Sequence, residues 1–222
     1  MGRLLCLVVA IVAAVSAAGA YAAAADKEQH HFTAADQAAA KTAVVKKADL
    51  AAAAGWTGGL KAPDLSPAPT CANFHPKQSD LVLTGAAESD WKNTGLEIDT
   101  EAQVLQTEQM VTLDWQRTVA DPAAFSCTKA LVKKNFSKAG PIKFVSFIKL
   151  PFPRIGKHTQ AFLTTLDVTS NGTTARVVVE DILIANRRTE ISISSTTQAV
   201  EAKAVAAADV RLASVLVARA KA

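Results

Sequence analysis

Residues 142–197 read IKFVSFIKLPFPRIGKHTQAFLTTLDVTSNGTTARVVVEDILIANRRTEISISSTT. This stretch decides the fold. Asn171-Gly172 stands between two runs rich in Val, Ile, Leu, Phe and Thr, namely Thr159 to Ser170 and Thr173 to Ala185. A type I′ turn needs positive φ at both central residues. Asn and Gly tolerate that best, so the pair predicts a two-residue hairpin. The turn then sets the register: Ser170 opposite Thr173, Val168 opposite Ala175, Leu166 opposite Val177 and Thr164 opposite Val179. Phe162, Leu166, Val168, Ala175, Val177 and Val179 fall on one face, and Asp167 meets Arg176 on the other.

The second strand continues through Val178, Ile182 and Ile184 on its other face. It is apolar on both sides, so it belongs in the middle of a sheet covered above and below. The chain turns near Asn186-Arg187 and returns through Ile191 and Ile193. Upstream, Ile142 to Leu150 is another strand, ended by Pro151 and Pro153, which lack the N–H a ladder needs.

Working outward, Gln198 to about Arg219 carries Val205, Ala208, Leu212, Val215 and Leu216 at helical spacing and predicts a final helix over the sheet. Asp121-Pro122 starts an earlier helix, with Asp as N-cap and Pro at the first helical position, and Gly140-Pro141 ends it. Thr107 caps a helix running to Val119. Leu96 to Gln106 reads as a strand with Ile98, Thr100, Ala102 and Val104 on one face, and Asp80 to Thr84 as a short strand. Gly85 to Asn93 reads as a loop carrying Trp91. Further back, Ala34 to about Ala54 reads as one Ala-rich helix entered through Thr33 and stopped by Gly55, followed by a Trp56 turn and a proline-containing extended loop. The sum is a single α+β domain, an antiparallel β-sheet of about six strands covered by helices.

Arg3, the apolar run Leu4 to Val15 and the small residues after it predict a signal peptide over residues 1–25. The competing reading is a retained membrane anchor. A flexible tail over residues 26–33 and the domain over residues 34–222 complete the expected organisation. Cys6 lies in the signal, which leaves Cys71 and Cys127. An even count in an exported chain predicts one disulfide, the competing reading being two separate buried thiols. Of the 222 residues, 24 are Lys or Arg and 20 are Asp or Glu, a formal net charge of +4. The basic residues are interspersed with acidic ones, with no concentrated stripe for nucleic acid.

The order of elements, together with Ala48-Asp49-Leu50, Gly55-Trp56 and Asp121-Pro122-Ala123-Ala124-Phe125-Ser126-Cys127, resembles exported actinobacterial sensor-like domains. These are the extracellular domain of the PknH kinase and the LpqN-like lipoproteins. The resemblance covers roughly Lys41 to Arg219 and implies a PsbP-like sandwich with a ligand-binding or scaffold role outside the cytoplasm. The chain departs from the lipoproteins in lacking a lipid cysteine, and from the kinases in lacking a kinase domain. Fold analogy names no ligand.

Catalytic signatures are sparse. Ser126-Cys127-Thr128-Lys129 matches Ser-x-x-Lys without its companion motifs and reads as a helix surface beside a disulfide. His30-His31 lie in the expected tail without partners at metal-ligand spacing, so no metal site and no cofactor is expected. Acidic residues are spread singly, and no carboxylate pair announces itself. Trp56, Trp91 and Trp115 are the aromatics able to meet a ligand. Trp56 and Trp91 lie in Gly-containing stretches, where the rings either contact a ligand or plug their loops onto the core, and with His158 they are the candidate ligand contacts. The expectation is therefore a secreted, non-enzymatic, monomeric binding module of the cell envelope. It would hold a small molecule, peptide or envelope component in a cleft between sheet and helix, and meet the membrane only through its export signal. A pocket-free interaction protein is the alternative, and a hydrolase the remote one.

Overall fold

The computed structural model describes residues 26–51, 54–137 and 140–220, so the expected signal lies outside the described residues. The elements run β1 (Gln29–His30), α1 (Ala34–Thr42), β2 (Thr57–Lys61), β3 (Val82–Lys92), β4 (Leu96–Leu105), α2 (Glu108–Trp115), α3 (Pro122–Ser137), β5 (Ile142–Leu150), β6 (His158–Ser170), β7 (Thr173–Asn186), β8 (Thr189–Gln198) and α4 (Ala202–Arg219). A π-helical turn, Gln116–Ala120, extends α2. The fold is α+β.

One sheet of eight strands carries everything, in the order β1-β3-β4-β8-β7-β6-β5 with β2 also on β3. Every pair is antiparallel except β1 with β3. The hairpin forms at Asn171 and Gly172, whose φ values are 50° and 75°. Its register places Val168 opposite Ala175 and Asp167 opposite Arg176. Arg176 donates from Nε and Nη2 to the Asp167 carboxylate at 2.8 and 3.2 Å. β7 is central, flanked by β6 and β8.

Eight strands replace the expected six because short β1 and β2 share the outer edge of β3. β1 runs beside Val82 and Leu83, and β2 beside the stretch from Glu88 to Lys92. Residues 26–33, expected as a flexible tail, thus contain a paired strand. It is anchored further by Gln29 Nε2 donating to Ser79 O at 2.8 Å. β3 is a single strand where a short strand and a loop were expected. Gly85 marks a shift of its register against β4 and lies against the α1 backbone.

The face turned to α1 and α4 is apolar. Ala87, Ile98, Ala102, Val104, Ile182, Ile184, Ile191 and Ile193 pack against Ala40, Val44, Leu212 and Leu216. α1 stops at Thr42, twelve residues short of the expected Ala54. The next residues are drawn onto the sheet instead. Val45 N donates to Thr100 Oγ1 at 3.0 Å, and Val45 O accepts from Ser89 Oγ at 2.9 Å and Trp91 Nε1 at 3.0 Å. Those buried hydroxyls and the indole need partners, and the unwound backbone supplies them.

The opposite face is covered by α2 and α3. Both are capped as expected: Thr107 Oγ1 accepts from Met110 N at 3.2 Å, and Asp121 Oδ1 from Ala123 N at 2.8 Å. At the β5–β6 end this face is aromatic, with Phe125 of α3 stacked on Phe147 and Phe162. Cys71 and Cys127 form a disulfide with Cα atoms 5.7 Å apart, tying the proline-containing segment to α3. Among the described residues no helix is long and apolar enough to cross a membrane.

Candidate functional site

β4 alternates strictly. Ile98, Thr100, Ala102 and Val104 are buried against the α1 side. The intervening Glu97, Asp99, Glu101 and Gln103 therefore face α2 and α3. β3 adds Glu88 and Asp90 to that face, β7 adds Asp181, and β8 adds Glu190, opposite Gln103. Acids far apart in sequence become one carboxyl-rich surface, open where the two helices leave it uncovered.

Two cavities lie on it. The larger, about 390 Å³, runs between the sheet and α3 and holds Lys61 of β2. Lys61 Nζ is 2.8 Å from Glu88 and 2.7 Å from Asp99, so this half of the stripe has its own cation. The other cavity, about 250 Å³, lies between α2, the sheet and the segment Leu65 to Ala68. Glu28, Glu101, Asp114 and Glu190 line it, together with Trp115 and Leu183. Exposed Lys27 and His30 stand at its rim.

None of these four acids forms an ion pair among the described residues. Asp114 is only 8 % exposed, and its carboxyl is in hydrogen-bonding contact with Glu190 and with the donors Gln78 and Thr118. Neither ionised carboxylate can donate, and Asp114 Oδ1 and Glu190 Oε1 have no partner. Burial raises both carboxyls, Glu190 furthest because Asp114 presses on it as well. The pair therefore retains a proton where isolated carboxyls would be ionised. Burial, then the charges of Asp114 and Glu101, push Glu28 up to about 7. Burial also brings Glu101 to about 7, with Glu88, Asp64 and Asp99 adding to it against the 2.7 Å hydrogen bond from Gln103 Nε2.

The expected ligand contacts sit elsewhere. Trp91 belongs to the core on the α1 side, its indole N–H committed to Val45 O. Trp56 is in the same core and is 9 % exposed. Neither lines either cavity. His158 stacks on Trp115 with ring centroids 5.3 Å apart, and Trp115 in turn lines the smaller cavity. His158 thus touches the cavity wall from behind. Burial and then the charges of Lys157 and Arg154 lower its pKa. Ser126 is exposed on α3 and donates to Pro122 O at 3.3 Å. Among the described residues no group of three or more His, Cys, Asp or Glu has the geometry to hold a metal ion.

The carboxyls were missed because they are scattered singly along the chain. Their signal was the complement of the apolar series in β4, an acid or amide at every second position from Glu97 to Gln103.

No protein-family model matches this chain, and no curated protein matches it. Among solved structures, the crystal structure of PA94, a protein of unknown function from Pseudomonas aeruginosa, is similar at 10 % sequence identity. The likeness covers 69 % of this chain and 94 % of that one with a TM-score of 0.26, a level that carries no argument.

Proposed function

We propose that this chain is a non-enzymatic ligand-binding module, exported from the cytoplasm, whose cleft lies between the carboxyl-rich face of the sheet and α2. The observation that carries this reading is the cavity of about 250 Å³ walled by both polar and apolar side chains, Glu101 and Glu190 beside Trp115 and Leu183. Concave sites with apolar walls and a few convergent polar groups are the usual form of small-molecule sites. The cavity also supports a pocket-based role over the surface-patch alternative. The Cys71–Cys127 disulfide supports an oxidising location. The relation to exported sensor-like domains of PsbP-like architecture belongs to the same proposal.

Native mass spectrometry of the protein purified from its own host tests it. Wild type is expected to carry a non-covalent adduct, and Ser192→Trp, which fills the cavity from β8, is expected to lose it. Identical spectra for the two proteins overturn the reading.

A further inference from the structure

We propose that the cavity under α2 binds a small organic amine, with its ammonium group among the carboxyls of Asp114, Glu190, Glu101 and Glu28 and its apolar body against Trp115 and Leu183. The inference rests on the cleft being a ligand site and adds the ligand's chemical class.

Three observations carry it. The first is an acid only partly satisfied by its neighbours Gln78, Thr118 and Arg117. Asp114 is more than nine-tenths buried, lines the cavity, and keeps Oδ1 without a donor. Buried polar atoms are nearly always partnered, and an orphan at a cavity wall marks where a ligand donor belongs. One proton held between Asp114 and Glu190 supplies a single donor, whereas an ammonium supplies three.

The second observation is a precedent on the same strand. Two positions before Glu101, Asp99 accepts the Lys61 ammonium at 2.7 Å, and Glu88 holds it from β3 at 2.8 Å. The stripe thus already seats one alkylammonium, tethered to the protein's own β2. The stretch from Glu101 to Glu190 has the same chemistry, and among the described residues none of its acids is ion-paired, Lys27 standing at the rim.

The third observation is the wall. Trp115 offers an aromatic ring, and Leu183 offers aliphatic surface, which a bare inorganic ion does not use. The carboxyls also lack metal-holding geometry among the described residues. A cation with an organic body satisfies both halves of the lining. The volume suits a compact molecule, equal to about eight waters at ~30 Å³ each.

The test is calorimetric titration of the full chain with tyramine and 1,5-diaminopentane. The neutral 4-ethylphenol, which keeps the aromatic body of tyramine but not its charge, and calcium chloride serve as controls. At least one amine is expected to bind at least tenfold more tightly than 4-ethylphenol and calcium. Glu101→Gln and Asp114→Asn are each expected to weaken it at least tenfold. Glu28→Gln, on the segment leading into β1, is a second route should the Asp114 variant misfold. Thermal unfolding verifies the fold of each variant.

Equal binding of the amines and 4-ethylphenol, or amine affinity unchanged in the folded carboxyl variants, overturns the amine assignment. If 4-ethylphenol still binds wild type and Ser192→Trp abolishes it, the cleft stands and only the ligand class falls. If no probe binds and the protein from its host carries no adduct, both fall.

Discussion

Arg188, in the turn between β7 and β8, donates from Nη2 to Asp36 Oδ2 at 2.7 Å, closing a contact across 152 residues of sequence. The same side chain donates from Nε to Leu105 O at 2.9 Å and reaches Thr84 Oγ1 at 3.3 Å. One guanidinium therefore joins the first turn of α1 to the ends of β3 and β4. Arg188→Ala would leave the Asp36 carboxylate, which is 14 % exposed, without its charge partner. The expected cost is about 2–3 kcal/mol, since removing one partner of a poorly exposed pair leaves the other uncompensated. Chemical denaturation measures it directly.

The same contact has an acid signature. Burial opposes ionisation of Asp36, but hydrogen bonds from Thr84 and Arg188 outweigh it and hold the carboxyl below its usual range. A depressed carboxyl contributes stability above its unfolded pKa and loses it as pH falls through the folded value. Wild type is expected to lose stability below pH 4, and Arg188→Ala to show a shallower loss there. Unfolding curves between pH 2.5 and 6 decide the matter.

Glu101 predicts the reverse trend on the other face. Its folded pKa of about 7 exceeds the ordinary carboxyl value of 4.5. Its contribution is fully present below pH 4.5 and is lost as pH rises toward 7. Glu28 behaves alike. The protein is therefore expected to gain stability from Glu101→Gln at pH 8, with little change at pH 4.5. The gain is about 1–2 kcal/mol after allowance for solvent screening, read as a shift in Tm of a few degrees.

Gly85 is a position of close approach. A Cβ there would overlap the Asp36 carbonyl group and press on the amide of Gln37, all backbone atoms that cannot rotate away. Gly85→Ala must push α1 off β3. It is expected to destabilise by about 1–3 kcal/mol, the usual cost of overpacking. Amide exchange should show the loss of protection concentrated in α1.

The disulfide spans a sequence separation of 56 residues. On the chain-entropy relation, closing a loop of that length stabilises by about 4 kcal/mol at 25 °C. Cys71→Ser/Cys127→Ser is expected to lower stability by an amount of this order. Thiol titration of the denatured, unreduced protein should find neither cysteine free.

The hairpin at Asn171-Gly172, its register and the central place of β7 were legible because turn chemistry and period-two alternation are local signals. α4 was legible for the same reason: Val205, Leu212 and Leu216 recur at helical spacing and are all buried. The end of α1 was not. Ala-rich sequence continues past Thr42, and what stops the helix is the demand of Ser89, Trp91 and Thr100 for backbone partners, a tertiary fact. β1 and β2 escaped notice because two residues, or five with two glycines among them, carry no period, and only the free edge of β3 orders them. The glycine neighbours of Trp56 and Trp91 left ligand contact and core packing both open, and the sheet's alternation assigns Trp91 to the face packed on α1. Trp115, of the same aromatic set, is the one at a cavity. The acidic surface was half-written in β4, since identifying its apolar residues also identified what pointed the other way.

That alternation has a historical consequence. Ile98, Ala102 and Val104 keep the scaffold folded, while Glu101 and Gln103, interleaved with them, face the cleft and touch none of that core. A lineage can exchange the second series one residue at a time without disturbing the first. Homologues of this chain should therefore agree at every other position of the strand and differ in between, a variable surface on an inherited frame.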